Sequence, residues 1–346
     1  MKKNVLVNAT SLASGGGFTV LNQFMSGLST NPPDNGAVFY VFVPDSYKVN
    51  HSQAHIHCLT NSENPFYKNR NYWNLKGLRK WEKHQGIKAD ELFSLQNYYP
   101  YGFKSKKTFK RLYLHQPIPF FEYKWRWFRK EERKLWFYQN IYYQLVKNSV
   151  NQSDQVIVQT DWFKCQLVKK IGIHESKVVV NKPILNQIDP NQYKSIEGLR
   201  GRKKLFFPAD EYVYKNHEIL YKAMNLLVNG TKQLKELVLY VTLEKNNRMA
   251  RDYIRKFNLE EHIILTGKLS YEQVMRYYRS VDVLLFPSKV ETFGMPLLES
   301  KAFGLPIIAS DLDLYREVIG EYNQPVVYCD YNDENKWAQA IGQLTD

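Results

Sequence analysis

No stretch of this 346-residue chain approaches the ~20 consecutive apolar residues that span a bilayer, so nothing in it reads as a transmembrane helix. The amino-terminal apolar run Val5-Leu6-Val7 breaks at Asn8. It is too short for a secretory leader and reads as a first strand. Cysteine is scarce: Cys58, Cys165 and Cys329 are odd in number and far apart. That excludes a disulfide framework and cysteine-based zinc spacings, and it fits reduced thiols in a cytoplasmic protein. His51, His55 and His57 form an H-x3-H-x-H pattern, but no carboxylate or cysteine completes a ligand set, so they read as strand histidines. There is no G-x-G-x-x-G fingerprint, which argues against a dinucleotide site. Acidic residues are short in one half only. Residues 1–180 hold 26 Lys/Arg against 12 Asp/Glu, residues 181–346 hold 22 of each, and the whole net charge of +14 lies in the first half. A half so basic implies an anionic partner: nucleic acid, anionic lipid or a phosphorylated substrate.

The length suits two domains, each able to bury its own core. Strands alternate with helical segments, the pattern of an α/β protein with parallel sheets. After the first strand come Gly15, Gly16 and Gly17, followed by an apolar helix from Val20. This is either a tight turn or a loop whose backbone approaches a phosphate or sugar. Strands are expected at Ala37–Val43, Ala89–Leu95 and Arg111–His115, with a basic helix over Tyr67–Gln85. His115 closes its strand beside Gln116-Pro117, which puts it at the carboxyl edge of a sheet, where ligands of α/β folds sit. There it can orient a hydroxyl or stabilise developing charge, or it can be a hydrogen-bonded structural histidine. Phe120–Tyr143 interleaves aromatic residues with Lys and Arg. It reads as an amphipathic helix with three uses: a membrane interface, core packing with a basic outer face, or base stacking. A linker is expected over Asn186–Gly201, dividing the chain into domains 1–185 and 186–346.

The most informative stretch lies near the carboxyl end. An apolar strand, Val281–Pro287, leads into Ser288-Lys289-Val290-Glu291-Thr292-Phe293-Gly294-Met295-Pro296, and a second strand follows at Leu305–Ser310. Gly294 frees the backbone at the turn, and Pro296 suits the first turn of a helix starting near Met295. Such a helix start offers free N–H groups to an anion, phosphate above all. Glu291 and Glu299 flank it eight residues apart, and carboxylates hold vicinal sugar hydroxyls well. The pair describes a nucleotide sugar: a hydroxyl-rich group on each side of a diphosphate. Upstream, Lys215 sits in a loop before another helix and can neutralise phosphate charge. Asp311-Leu312-Asp313 imitates a D-x-D metal motif but reads as loop and helix cap.

This stretch resembles the E-x7-E signature of retaining glycosyltransferases of the GT-B fold, in particular glycosyltransferase family 4. The resemblance covers the carboxyl-terminal half well and the amino-terminal half more loosely. It implies two Rossmann-like domains facing across a cleft. It also implies that Glu299 binds the donor ribose, that Glu291 contacts the transferred sugar, and that the backbone at Phe293, Gly294 and Met295 touches the sugar and diphosphate. Gly15, Gly16 and Gly17 resemble the loop that closes over the donor, His115 resembles a histidine beside the transferred sugar, and Gly267–Glu272 resembles the loop at the nucleotide base. Lys215 matches the family's lysine, but Ala209 or Asp210 stands where an arginine belongs, so part of the diphosphate clamp departs from the pattern. The resemblance implies a hexosyltransferase with a nucleotide-diphosphate sugar as donor and no metal or other cofactor. Its acceptor would be a glycan or a polyprenyl-diphosphate-linked acceptor, and the basic aromatic segment fits a bacterial surface polysaccharide pathway such as O-antigen or capsule. With the basic aromatic segment, this places the protein in the cytoplasm, peripheral on the inner face of an anionic membrane, with no nucleic acid as partner. The contrasting expectation is a catalytically silent module of the same fold that binds membrane or nucleic acid.

Overall fold

The computed structural model describes residues 2–13, 15–30, 36–48, 54–183, 188–230 and 236–345. His51 and the expected boundary at 185/186 lie outside the described residues. The chain divides into two compact units: Met1–Phe120 with Lys134–Lys182, and Phe121–Arg133 with Pro183–Asp346. The stretch Phe121–Arg133 therefore packs with the second unit, a segment that the sequence reading assigned to the first.

In the first unit the strands are β1 (Asn4–Asn8), β2 (Val38–Val43), β3 (Ile56–Thr60), β4 (Glu91–Ser94), β5 (Phe109–Tyr113), β6 (Gln155–Val158) and β7 (Val178–Val180). They pair in parallel in the order β3-β2-β1-β4-β5-β6-β7. The chain winds out in one direction from β1 and in the other from β4, so the switch point lies between those two strands. A ligand crevice is expected at the carboxyl ends there. Helix α1 (Gly15–Thr30) follows β1 and buries Val20, Leu21 and Met25. The three glycines are thus its first turn, not a loop before it. First-turn N–H groups have no intrahelical partner in any case, so the helix starts there despite poor propensity.

The expected helix near 67–85 forms over Arg70–His84 in three pieces, with a π turn at Trp73–Gly77. Asn69 caps its start by accepting the Tyr72 N–H at 2.9 Å. The expected amphipathic helix over Phe120–Tyr143 is only half present. Helix begins at Arg133 and runs to Asn151 through a π turn at Tyr138–Tyr142. Residues 121–132 are turns and bends instead, because buried Glu132 accepts the Arg126 backbone N–H at 2.8 Å and pairs with Arg129.

In the second unit the strands are β8 (Lys203–Phe207), β9 (Leu237–Val241), β10 (Ile263–Leu265), β11 (Val283–Phe286), β12 (Ile307–Ser310) and β13 (Val326–Cys329). All pairs are parallel, in the order β10-β9-β8-β11-β12-β13. β9, β11 and β12 are buried at every position, as expected of a sheet covered on both faces. The switch point lies between β8 and β11. The final helix, Glu334–Thr345, packs on the helix His217–Gly230 of its own unit and buries Trp337.

Candidate active site

At the β8–β11 switch point two loops meet. The first, after β8, ends in a short 3-10 turn, Val213–Lys215, closed by Asn216 in the left-handed region (φ 61°). Asn216 donates its amide to the carbonyls of Pro287 at 3.3 Å and Tyr331 at 2.8 Å, tying this turn to the end of β11. The Lys289 N–H donates to the Tyr214 carbonyl at 2.7 Å, and Tyr315 donates its hydroxyl to the Ser288 carbonyl at 2.9 Å. These bonds set Lys215 against Glu291: Nζ lies 2.5 Å from Oε1, with side chains only 16% and 14% exposed. Two groups expected to hold a ligand separately therefore hold each other. A dianionic diphosphate would draw Lys215 away and leave the Glu291 carboxylate for hydroxyl groups.

Glu299 is 9% exposed, within the helix Met295–Ala302 that begins after Gly294. Burial pushes its carboxyl above the usual carboxylate range, although the Tyr278 hydroxyl donates to Oε2 at 3.1 Å and opposes that rise. Tyr278 is itself buried at 1%, so this hydroxyl is held in place and leaves Oε1 for another donor. Gly294 has φ 96°, a conformation that L side chains rarely adopt, and a Cβ there would stand 3.1 Å from Leu297 Cδ1. Pro296 fills the first turn, and Phe293 is buried just before it. The N-terminal N–H groups of this helix stand at the carboxyl edge of the sheet.

His217 was not singled out by the sequence, yet it shapes the first loop. Its Nε2 is 2.9 Å from the Asp210 carbonyl, which can only accept, so Nε2 carries the proton. Burial holds this ring well below the usual range, at about 4. Where an arginine was expected, Ala209 is buried and its N–H donates to Thr242 Oγ1 at 2.8 Å, while Asp210 holds His217. At the carboxyl ends of β9 and β10 an open recess of about 520 Å³ is lined by Glu244, Lys245, Asn246, Thr266, Gly267 and Lys268. Asp311 pairs with Arg316 at 2.7 Å, and Asp313 sits in a first helical turn. Among the described residues no group of three or more His, Cys, Asp or Glu side chains is placed to hold a metal ion.

The first unit has its own polar edge. His115 follows β5 by two residues. Its backbone N–H donates to Asn97 Oδ1 at 2.7 Å, and the Gln116 N–H donates to the same oxygen at 2.9 Å. The ring Nε2 lies 3.1 Å from Asn97 Nδ2. A Cβ on Gly17 would stand 3.8 Å from that nitrogen, so the first turn of α1 passes directly over His115; Gly15 and Gly16 face open space. Burial lowers the His115 ring to about 4, which makes it neutral at pH 7. Thr10 and Gln96 complete the edge, Gln96 Nε2 donating to Thr10 Oγ1 at 3.0 Å. No motif in the sequence marks Asn97 or Gln96; only their place just after β4 could have suggested them.

Two parallel sheets of this order, each with polar side chains at the carboxyl ends of its switch point, define the GT-B fold. The fold is shared with the sucrose-phosphate synthase of Thermosynechococcus elongatus, at a TM-score of 0.70 and 15% identity over 99% of this chain and 90% of that one. It is shared too with Anabaena HepE, solved with UDP and glucose, at a TM-score of 0.62 and 14% identity over 100% of this chain and 92% of that one. Residues 191–346 match the family described as glycosyl transferases group 1. Curated relatives include a D-inositol 3-phosphate glycosyltransferase of Thermobispora bispora, 22% identical over 57% of this chain and 49% of its own length. Another is the O-antigen chain mannosyltransferase RfbU of Salmonella typhimurium, 24% identical over 60% of this chain and 56% of its own length. The chain thus spans about half the length of the curated relatives it matches. Among the described residues no helix is long and apolar enough to cross a membrane.

Proposed function

We propose that this protein moves a hexose from a nucleotide-diphosphate sugar to a glycan acceptor carried on a lipid, with retention at the anomeric carbon, in the synthesis of a bacterial surface polysaccharide. The observation that carries the reading is the Lys215–Glu291 pair beside the start of a helix that also bears Glu299. Glu299 Oε1 accepts from the ribose hydroxyls, and the recess at Thr266–Lys268 takes the base. Lys215 and the first N–H groups of the Met295 helix meet the diphosphate. As the bond between the anomeric carbon and the phosphate oxygen breaks, they stabilise the charge that collects on the leaving group. The acceptor oxygen forms the new bond on the same face, and its proton leaves with the nucleoside diphosphate. No metal is assigned to the reaction, since these groups supply the positive charge. Retention is supported by the E-x7-E spacing. The surface-polysaccharide setting is supported by the likeness to an O-antigen mannosyltransferase. A lipid-borne acceptor makes the protein peripheral on the inner face of a membrane.

Thermal stabilisation by GDP, UDP, dTDP and CMP tests the donor site, each with and without EDTA. One nucleotide should raise the melting temperature of the wild type, ignore EDTA and fail with Glu299→Ala. Stabilisation by none of them overturns the reading. A second reading, a silent module of the same fold, is favoured by Ala209 and Asp210 standing at the arginine position. It predicts binding of membrane or of nucleic acid, the latter salt-sensitive, with no nucleotide-sugar binding.

A further inference from the structure

The helix from Arg133 to Asn151 buries Tyr142, Val146 and Val150 in the first unit's core, and Leu135 near its start is buried as well. Its other side is unusual. Phe137, Ile141 and Leu145, at four-residue steps, are 44%, 50% and 42% exposed. An α-helix lets such a step drift round its axis, but the π turn at Tyr138–Tyr142 carries an extra residue and holds the three nearly in line. The exposed neighbours are the amides Asn140, Gln144 and Asn148, and no Asp or Glu occurs anywhere from Arg133 to Gln152. Leu145 also walls a groove of about 380 Å³ together with Tyr98, Tyr101 and Phe103, and the rim of that groove carries Lys104, Lys106 and Lys110. Lys104, Lys106 and Lys107 are exposed, and among the described residues none of the four lysines has an ion-pair partner. The carboxylate of Asp154, beside Lys110, accepts the Lys110 backbone N–H at 2.8 Å.

We infer that this face of the first unit seats on an anionic bilayer. The stripe enters the acyl boundary, the groove receives one chain, and the lysines meet the lipid phosphates. An apolar line edged by amides and backed by cations matches the layered chemistry of that interface. Nucleic acid fits less well, because stacking on bases needs flat rings and two of the three stripe residues are aliphatic. A second copy of the chain would bring lysine against lysine. The inference rests on the proposed reading only for its purpose, delivery to a lipid-borne acceptor, and the surface can be tested by itself.

The test is co-sedimentation of the full chain with vesicles of phosphatidylcholine alone or with about a third phosphatidylglycerol. The protein should bind only the anionic vesicles, and less as NaCl rises from about 0.1 to 0.5 M. The triple change Phe137→Ser, Ile141→Ser, Leu145→Ser should lower partitioning on the order of a hundredfold. Lys104→Gln, Lys106→Gln, Lys107→Gln together should lower it comparably. Both variants should keep the wild-type melting temperature and nucleotide response. Glu299→Ala should bind vesicles like the wild type, so failure of the donor site and failure of this surface are distinguishable. Equal vesicle binding by the stripe variant overturns the inference. So does salt-sensitive RNA binding that excludes vesicles, or a dimer that the stripe changes dissociate while wild-type protein ignores lipid.

Discussion

Asn97 shows how one side chain can set the chemistry of another. It sits in the left-handed region (φ 66°), and its Oδ1 is fully engaged by two backbone N–H groups. The group facing His115 Nε2 is therefore the amide NH₂, which can only donate. Nε2 accepts, and the ring proton belongs on Nδ1, an assignment made by the network. Asn97→Asp exchanges that donor for an acceptor, so Nε2 must take up a proton. The ring should titrate above its wild-type value of about 4, visible in the imidazole signals of histidine-labelled protein. An unmoved titration would show that Asn97 does not control the ring. Glu299 offers the opposite trade. Burial raises its pKa, so ionising it at neutral pH works against folding, and Glu299→Gln keeps an acceptor for Tyr278 without the charge. That variant should be more stable without ligand by about 1 kcal/mol in urea unfolding at pH 7, and should lose nucleotide stabilisation. Its advantage should shrink as pH falls toward the carboxyl's own titration, because the wild-type carboxyl then becomes neutral too.

Among the elements, the loops after β8 and β11 matter most. Lys215 and Glu291 are mutually neutralised and mostly buried, so removing one partner leaves a charge without its counter-ion. Lys215→Met should cost roughly 2–3 kcal/mol, and Lys215→Met with Glu291→Gln should recover most of it. Additive losses in that double-mutant cycle would mean that the pair is not coupled. Gly294→Ala should cost about 1–3 kcal/mol, since its backbone is left-handed and the Cβ crowds Leu297, and the misplaced helix start should weaken nucleotide binding as well.

Much of this element was legible: the apolar strand lengths, the Gly294–Pro296 turn and the carboxylate spacing are local patterns. The Lys215–Glu291 contact was not, because it joins residues 76 apart through bonds made by Asn216 and Lys289. Phe120–Tyr143 misled for a related reason. Its aromatic–basic composition suits an amphipathic helix, but Glu132 folds back onto Arg126 and makes the first half a turn. Trp127 and Phe128 are exposed in that turn, but the apolar stripe along a helix lies on Arg133–Asn151, where a π turn shifts the residues that share a side. Gly15–Gly17 read as a loop because glycine is a poor helix former, a preference that weighs little at a helix start.

At the scale of the whole molecule, acid should act on both units through one kind of group. His115 in the first unit and His217 in the second are each buried and held at about 4, below the ordinary histidine value of 6.5. A folded-state pKa that is lowered in this way favours the neutral ring. Above about 6.5 both folded and unfolded chains carry it neutral, and the full contribution to stability is present. As pH drops from there toward 4 the unfolded chain protonates first, and stability is lost progressively, up to roughly 3 kcal/mol for each ring. Acid also adds to the self-repulsion of a chain that already carries +14, an excess that lies within residues 1–180. Urea midpoints measured between pH 7 and 4.5 should therefore fall steeply, and added salt should recover the repulsive part but not the histidine part. His217→Gln keeps an N–H donor for the Asp210 carbonyl but cannot titrate, so it should flatten that slope. Should the slope persist unchanged in His217→Gln and in His115→Gln alike, the acid sensitivity would belong to surface charge and not to these two rings.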